Sequence, residues 1–288
     1  MKKHIISLFS LVLCLSSTLF AQTTQTTLDY DDRVHPELAQ NFMVVSQNYH
    51  STDAGYLILK QGGNAVDAAV AVGFALAVTL PRAGNLGGGG FMLIYSADSQ
   101  EVSAIDYRSA APVAATSEMF LTESGVVRFG HLVNAVPGSV AGLLKAHKKY
   151  GKLSLKEVLK PAIELASKGF PVPHDLNYVL NWAKGSMLDN SASRKKFYNS
   201  KDQPLPIASN FKQPELARTL SLIANEGSKV FYEGEIADWI VKDSIANGGL
   251  ITKQDLASYT AKDRLPIESF YRGHKIVSMS PAASGGIV

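Results

Sequence analysis

Asp106 and Arg108 are the residues whose types and spacing best suit chemistry in this 288-residue chain. They close the stretch GGNAVDAAVAVGFALAVTLPRAGNLGGGGFMLIYSADSQEVSAIDYR, residues 62–108. A guanidinium can grip a carboxylate through two parallel hydrogen bonds and stays charged when partly desolvated. Arg108 is therefore a candidate anion-binding residue. An ion pair with Asp106 is the competing reading, because residues two apart on a strand face the same side. Upstream stand Gly84 and the run at 87–90. Nucleotide-binding glycine loops lead from a strand into a helix, whose N-terminus then faces the phosphate. Here the glycines lead from a helix into a strand, which points their amides the wrong way. Two roles stay open for them: a backbone nest for an anion, or, preferred, close approach of the strand to the site.

Other candidates carry less. Asp67 falls in the first turn of a helix, where a carboxylate favours the dipole, and is read as structural. The histidines at 35, 50, 131, 147, 174 and 274 are scattered, with no HxH or HExxH spacing and no acidic cluster beside them. No metal site is expected.

The elements that must position Arg108 can be read from pattern. Residues 51–61 (STDAGYLILKQ) predict a helix with Ser51 or Asp53 as cap and Gly62-Gly63 as terminator. Asn64 can cap the next helix, which runs to Leu80, is apolar almost all round and so is expected to be buried on every side. Residues 91–95 predict a strand covered on both faces, 97–100 a turn and 102–107 the returning strand. Stacked layers of helix and sheet follow. Ser154 and Glu157 make a capping-box pattern before a helix to about Ser167, which Pro161 should kink or divide. Further helices are predicted at 174–184, 214–225 and 235–246, with a short one starting at Thr252. A final hairpin pairs 267–271 with 274–279 across Arg272-Gly273. No internal repeat and no linker between two domains is visible.

The longer motifs closely resemble the γ-glutamyltranspeptidases (γ-glutamyltransferase / glutathione hydrolase family). They are GGNAVDAA at 62–69, PRAGNLGGGGFML at 81–93, AIDYRSAAP at 104–112, VPGSVAG at 136–142, NGGLITKQDLASY at 247–259 and SPAASGGI at 280–287. The resemblance implies an α+β fold, the four-layer αββα sandwich of N-terminal-nucleophile hydrolases, represented here by its N-terminal large-subunit part. It implies that Arg108, in a D-[FY]-R motif, grips the α-carboxylate of a γ-glutamyl substrate. It implies cleavage of the γ-glutamyl amide of glutathione and transfer to water, amino acids or peptides, without a cofactor. The nucleophile would be a threonine made N-terminal when the precursor cuts itself, its α-amine acting as base. That threonine belongs to a small subunit, normally from the same precursor, and no threonine here matches the processing site. Thr116, Thr219 and Thr260 read as ordinary loop or helix positions, and Thr23 lies on a polar tail with no held geometry. The glycine turn and apolar pair at 285–288 read as the start of an element, so the chain is expected to be a truncated large subunit, inactive alone. The rival is a non-catalytic γ-glutamyl-binding or degenerate scaffold protein.

Residues 1–21 read as a secretory signal, with basic Lys2 and Lys3, an apolar run and Ala21 near the cut. The run is too short and serine-broken for a spanning helix. A lipoprotein signal at Cys14 is the rival, but Leu13 precedes it where a small residue is needed. Residues 22–47 are expected to be a flexible mature N-terminus and 48–288 the enzyme-like domain, in the periplasm. Signal removal takes the only cysteine with it, leaving no disulfide framework. It also removes two of the 28 basic residues, leaving 26 against 25 acidic ones, a net of +1. With no basic run, a nucleic-acid partner is not expected.

Overall fold

Helices gathered around one apolar helix, with a small sheet against them, make up most of the chain. The structure is a computed structural model describing residues 37–122 and 125–286. The expected signal at 1–21, Cys14, Thr23 and most of the expected N-terminal segment lie outside those residues. Residues 37–42 carry no helix or strand. Contacts divide the chain after Phe42, and the elements below all belong to the unit that starts at Met43.

Helix α1 (Tyr49–Lys60) is capped by Asn48, whose side-chain oxygen accepts from the His50 and Ser51 amides. This corrects the expected cap at Ser51 or Asp53. Ser51 lies inside the first turn, fully buried, with its hydroxyl 2.7 Å from that of Thr79. Past the helix end, Gly62 takes φ +91°, as the expected terminator should. Helix α2 (Ala65–Thr79) opens with a reciprocal capping box between Asn64 and Asp67. Val70, Ala71, Phe74, Ala75 and Val78 are fully buried, while Ala65 and Ala69 reach solvent. Burial is thus on most sides rather than every side. Around α2 pack α1, α3 (Ser139–Tyr150) and α4 (Leu155–Lys168). The α4 capping box at Ser154 and Glu157 is as expected. Of the two outcomes expected at Pro161, a kink or a division, the division does not occur: the helix runs through it. Proline removes one hydrogen bond, and the buried face of Val158, Leu159, Ala162 and Ala166 holds both halves.

The chain continues with α5 (His174–Trp182), α6 (Lys184–Leu188), α7 (Ser191–Phe197), α8 (Pro214–Glu226), α9 (Ser228–Tyr232), α10 (Glu235–Ala246) and α11 (Lys253–Ser258). Thr252 caps α11, its hydroxyl accepting from the Asp255 amide.

Strands β1 (Phe91–Ser96) and β2 (Glu101–Asp106) form an antiparallel hairpin with Phe91 opposite Asp106. Short pairs join β3 (Leu121–Thr122) to β4 (Gly125–Val126) and β5 (Phe170–Pro171) to β6 (Asn210–Phe211). Strand β7 (Lys262–Arg264) adds antiparallel to β2, with Asp106 opposite Lys262. Strands β8 (Ile267–Tyr271) and β9 (His274–Ser278) make the expected closing hairpin. Helix and strand are therefore mixed, with a three-stranded sheet ordered β1-β2-β7. Strand β1 is covered on one face among the described residues, not on both as its apolar run predicts. Met92 and Ile94 pack on the core, but Leu93 and Tyr95 on the opposite face are 40% and 62% exposed. Alternate residues of a strand face opposite ways, and the described residues cover only one of the two faces.

Candidate functional site

Strand β2 ends at Asp106, and the ladder runs one residue further. The Tyr107 amide donates to the Gly90 carbonyl at 3.0 Å, and the Gly90 amide donates back at 3.2 Å. Arg108 then steps off the sheet, and side chains take over its main-chain hydrogen bonds. Its N–H donates to Asp106 Oδ1 at 3.0 Å, and its carbonyl accepts from the Tyr259 hydroxyl at 2.8 Å. The Arg108 side chain is exposed, and its guanidinium makes no hydrogen bond or ion pair with any described residue.

The ion pair weighed between Asp106 and Arg108 does not form. Asp106 Oδ2 instead accepts from Arg264 Nε at 3.1 Å and Nη2 at 3.0 Å. The cause is β7, which lays Arg264 alongside β2 and delivers a fork-shaped cation to a carboxylate that is only 11% exposed.

Glycines set how closely the pieces approach. A Cβ on Gly89 would sit 2.4 Å from the Ser109 nitrogen and 2.9 Å from the Arg108 carbonyl carbon. One on Gly138 would sit 2.0 Å from the Tyr107 oxygen and 2.2 Å from the Tyr259 hydroxyl. Both gaps are too small for any side chain. The Gly88 carbonyl accepts from the Gly138 and Ser139 amides at 2.7 and 3.0 Å, tying the glycine loop to the start of α3. The close-approach role preferred for Gly87 to Gly90 thus has direct geometric support at Gly89.

Tyr259 is the residue that local pattern does not reveal, being 151 positions from its partner. Its ring stacks on Tyr232 at 5.8 Å and 10°. Tyr232 is itself anchored, donating to the Pro137 carbonyl at 2.8 Å and accepting from the Ala141 amide at 3.1 Å. Burial, and then the Asp106 carboxylate, push the Tyr259 phenol up to about 12, so it remains a donor across the physiological range. Asp255 completes the junction, accepting from the Val113 amide at 2.8 Å. These groups surround a cavity of about 390 Å³ lined by Arg108, Ser109, Asp255, Tyr259, Lys262 and Arg264, among others. Chemically, it presents an unspent guanidinium on a fixed main chain, which is what capture of a carboxylate requires.

The remaining candidates fall elsewhere or do other work. Thr116 is in an exposed loop, and Thr219 on α8 donates to the Glu215 carbonyl. Thr260 lines the cavity, and no described residue holds its hydroxyl. Asp67 is fully buried and accepts from the main-chain amides of Asn64, Lys152 and Leu153. His131 pairs with Asp243, and His147 meets the Leu153 carbonyl. Among the described residues no helix is long and apolar enough to cross a membrane.

Five of the six motif blocks quoted from the sequence therefore meet around Arg108 and its cavity. A family profile described as "Gamma-glutamyltranspeptidase" matches residues 51–288. The chain belongs to the γ-glutamyltranspeptidase family. It is 46% identical over 262 residues to the glutathione hydrolase proenzyme of Escherichia coli K12, covering 89% of this chain and 45% of that protein. The glutathione hydrolase proenzyme of Bacillus subtilis 168 is 35% identical over 98% of this chain and 49% of its own length. The chain thus spans about half the length of these curated relatives. The crystal structure of Helicobacter pylori γ-glutamyltranspeptidase superposes with a TM-score of 0.84 at 43% identity, covering 88% of this chain and 73% of that one. A γ-glutamyltranspeptidase from Pseudomonas nitroreducens complexed with L-DON gives 0.80 at 40% identity, covering 87% and 74%.

Proposed function

We propose that this chain is the large-subunit portion of a γ-glutamyltransferase / glutathione hydrolase, and that Arg108 binds the α-carboxylate of its γ-glutamyl donor. The whole protein would cleave the γ-glutamyl amide of glutathione and related compounds. The γ-glutamyl group would rest as an ester on a threonine outside residues 1–288 and pass to water, an amino acid or a peptide through tetrahedral oxyanions. The proposed chemistry uses no cofactor. The observation that carries the reading is the Arg108 guanidinium, free of any carboxylate among the described residues while its main chain is held on both sides.

Further parts of the proposal rest on sequence. Residues 1–21 act as a secretory signal, 22–47 form the mature N-terminus, 48–288 form the large-subunit part, and the enzyme works in the periplasm. A small subunit from the same precursor supplies the nucleophile and completes a four-layer αββα sandwich, covering the face that carries Leu93 and Tyr95. The exposure of those two side chains supports a covering layer, since a continuous apolar strand suits burial on both faces.

The test is Arg108→Lys in the full-length protein, which keeps the charge and loses the fork. Catalytic efficiency on a γ-glutamyl anilide should fall about ten- to hundredfold, the cost of one charge-assisted hydrogen bond. Self-cleavage of the precursor should survive. Unchanged efficiency would remove Arg108 from the donor site.

A further inference from the structure

We infer that Tyr259 and Asp106 are positioning residues, a two-sided clamp that fixes the main chain of Arg108 and so aims its guanidinium. The inference rests on the proposed role of Arg108 as the donor-carboxylate ligand and names the groups that make that role work. Arg108 lies past the end of the ladder, and among the described residues neither its N–H nor its carbonyl has a main-chain partner. Such groups must be satisfied somehow. Here the partners are two side chains from opposite directions: Asp106 at 3.0 Å on the N–H and Tyr259 at 2.8 Å on the carbonyl.

Each arm of the clamp is itself braced. Arg264 holds the Asp106 carboxylate through two nitrogens, leaving Oδ1 for Arg108. Tyr259 is held by its stack on Tyr232 and by the bare face of Gly138 beside its hydroxyl. Three other arginines use their tips within the fold. Arg82, Arg194 and Arg218 spend their guanidinium groups on Asp175, Asp202 and Glu235. Arg108 is fixed at the backbone and free at the tip. A long side chain whose root is fixed loses less freedom on meeting its ligand, so the clamp contributes to donor affinity rather than to bond making.

A double-substitution cycle on the full-length, self-cleaved protein tests this, using a γ-glutamyl anilide as donor and Arg108→Ala as the second background. Tyr259→Phe should raise KM about three- to tenfold, as loss of one hydrogen bond allows. It should change kcat less than twofold and leave the melting temperature nearly unchanged. In the Arg108→Ala background, Tyr259→Phe should have no further effect on kcat/KM. Equal effects in both backgrounds, or none in either, would overturn the clamp. Arg108→Ala without any loss of efficiency would instead overturn the donor-site reading beneath it. Should Tyr259→Phe fail to fold, Asp106→Asn carries the same cycle. Asparagine keeps an oxygen for the Arg108 amide but loosens Arg264, so a smaller effect that again vanishes with Arg108→Ala is expected. An Asp106→Asn effect that persists there would overturn the clamp.

Discussion

Asp67 and Asp106 sit in two different motif blocks and do related jobs with opposite consequences. Asp67 is sealed, with both oxygens taken by main-chain amides from its own helix start and from the 152–153 turn. It joins the start of α2 to the end of α3, and nothing is left over for a ligand. Asp106 also holds a main-chain amide, but it stands at a cavity wall, neutralised by Arg264. Arg108, the cation that the competing reading of the sequence paired with it, stays free of it. An aspartate whose every bond closes within the fold signals architecture. An aspartate that frees a neighbouring cation while fixing its backbone signals a site.

The contrast predicts where damage appears. Asp67→Ala should be the most severe, because it removes a capping box and a fully buried carboxylate that holds three main-chain amides. A loss of at least about 3 kcal/mol is expected in chemical unfolding of the full-length protein, and activity should fall only in step with folded fraction. A stable variant with a selective activity loss would erase the distinction between the two aspartates.

Gly89→Ala should blur the two regions instead. Its methyl would press on the peptide between Arg108 and Ser109, so the Arg108 segment must shift. Overpacking of this kind costs about 1–3 kcal/mol. The same shift should raise KM for the donor by more than the stability loss explains, read by comparing melting temperature with donor kinetics. A variant matching wild type in both would show that the close approach is not needed.

Arg82→Ala is the smallest expected effect. Its bridge to Asp175 at 2.9 Å is half exposed at the carboxylate, and such pairs are worth less than about 1 kcal/mol. Melting temperature and kinetics should both stay close to wild type. A large kinetic effect would mean that a guanidinium spent on an ion pair can still serve catalysis.

Much of this was legible in the sequence where the cause is local. The Asn64 and Ser154 caps, the start of α11 at Thr252 and both long hairpins follow from short-range rules on capping and turns. The Asn48 cap was missed because Ser51 and Asp53 are equally good cap types, and only the fold shows Ser51 spent on Thr79. Strand β7 gives no signal, since its three residues Lys262, Asp263 and Arg264 are charged and exposed. Its pairing with β2 is long-range, and with it came the partner of Asp106. Arg108 itself was found through its motif. Tyr259 and Gly138 also sit in motif blocks, but their roles beside Arg108 were not legible, because Tyr259 is 151 positions from Arg108 and Gly138 meets Tyr107 and Tyr259 only in the fold.

The role proposed for the Arg108 guanidinium is to read the donor's α-carboxylate. The most direct measurement compares two donors in the full-length protein, a γ-glutamyl anilide and the same anilide with its α-carboxylate replaced by a carboxamide. Wild type should prefer the carboxylate donor by about a hundredfold in kcat/KM, and Arg108→Ala should lose nearly all of that preference, mainly by losing the better donor. If Arg108→Ala keeps the wild-type preference, the carboxylate is read elsewhere and the account is wrong.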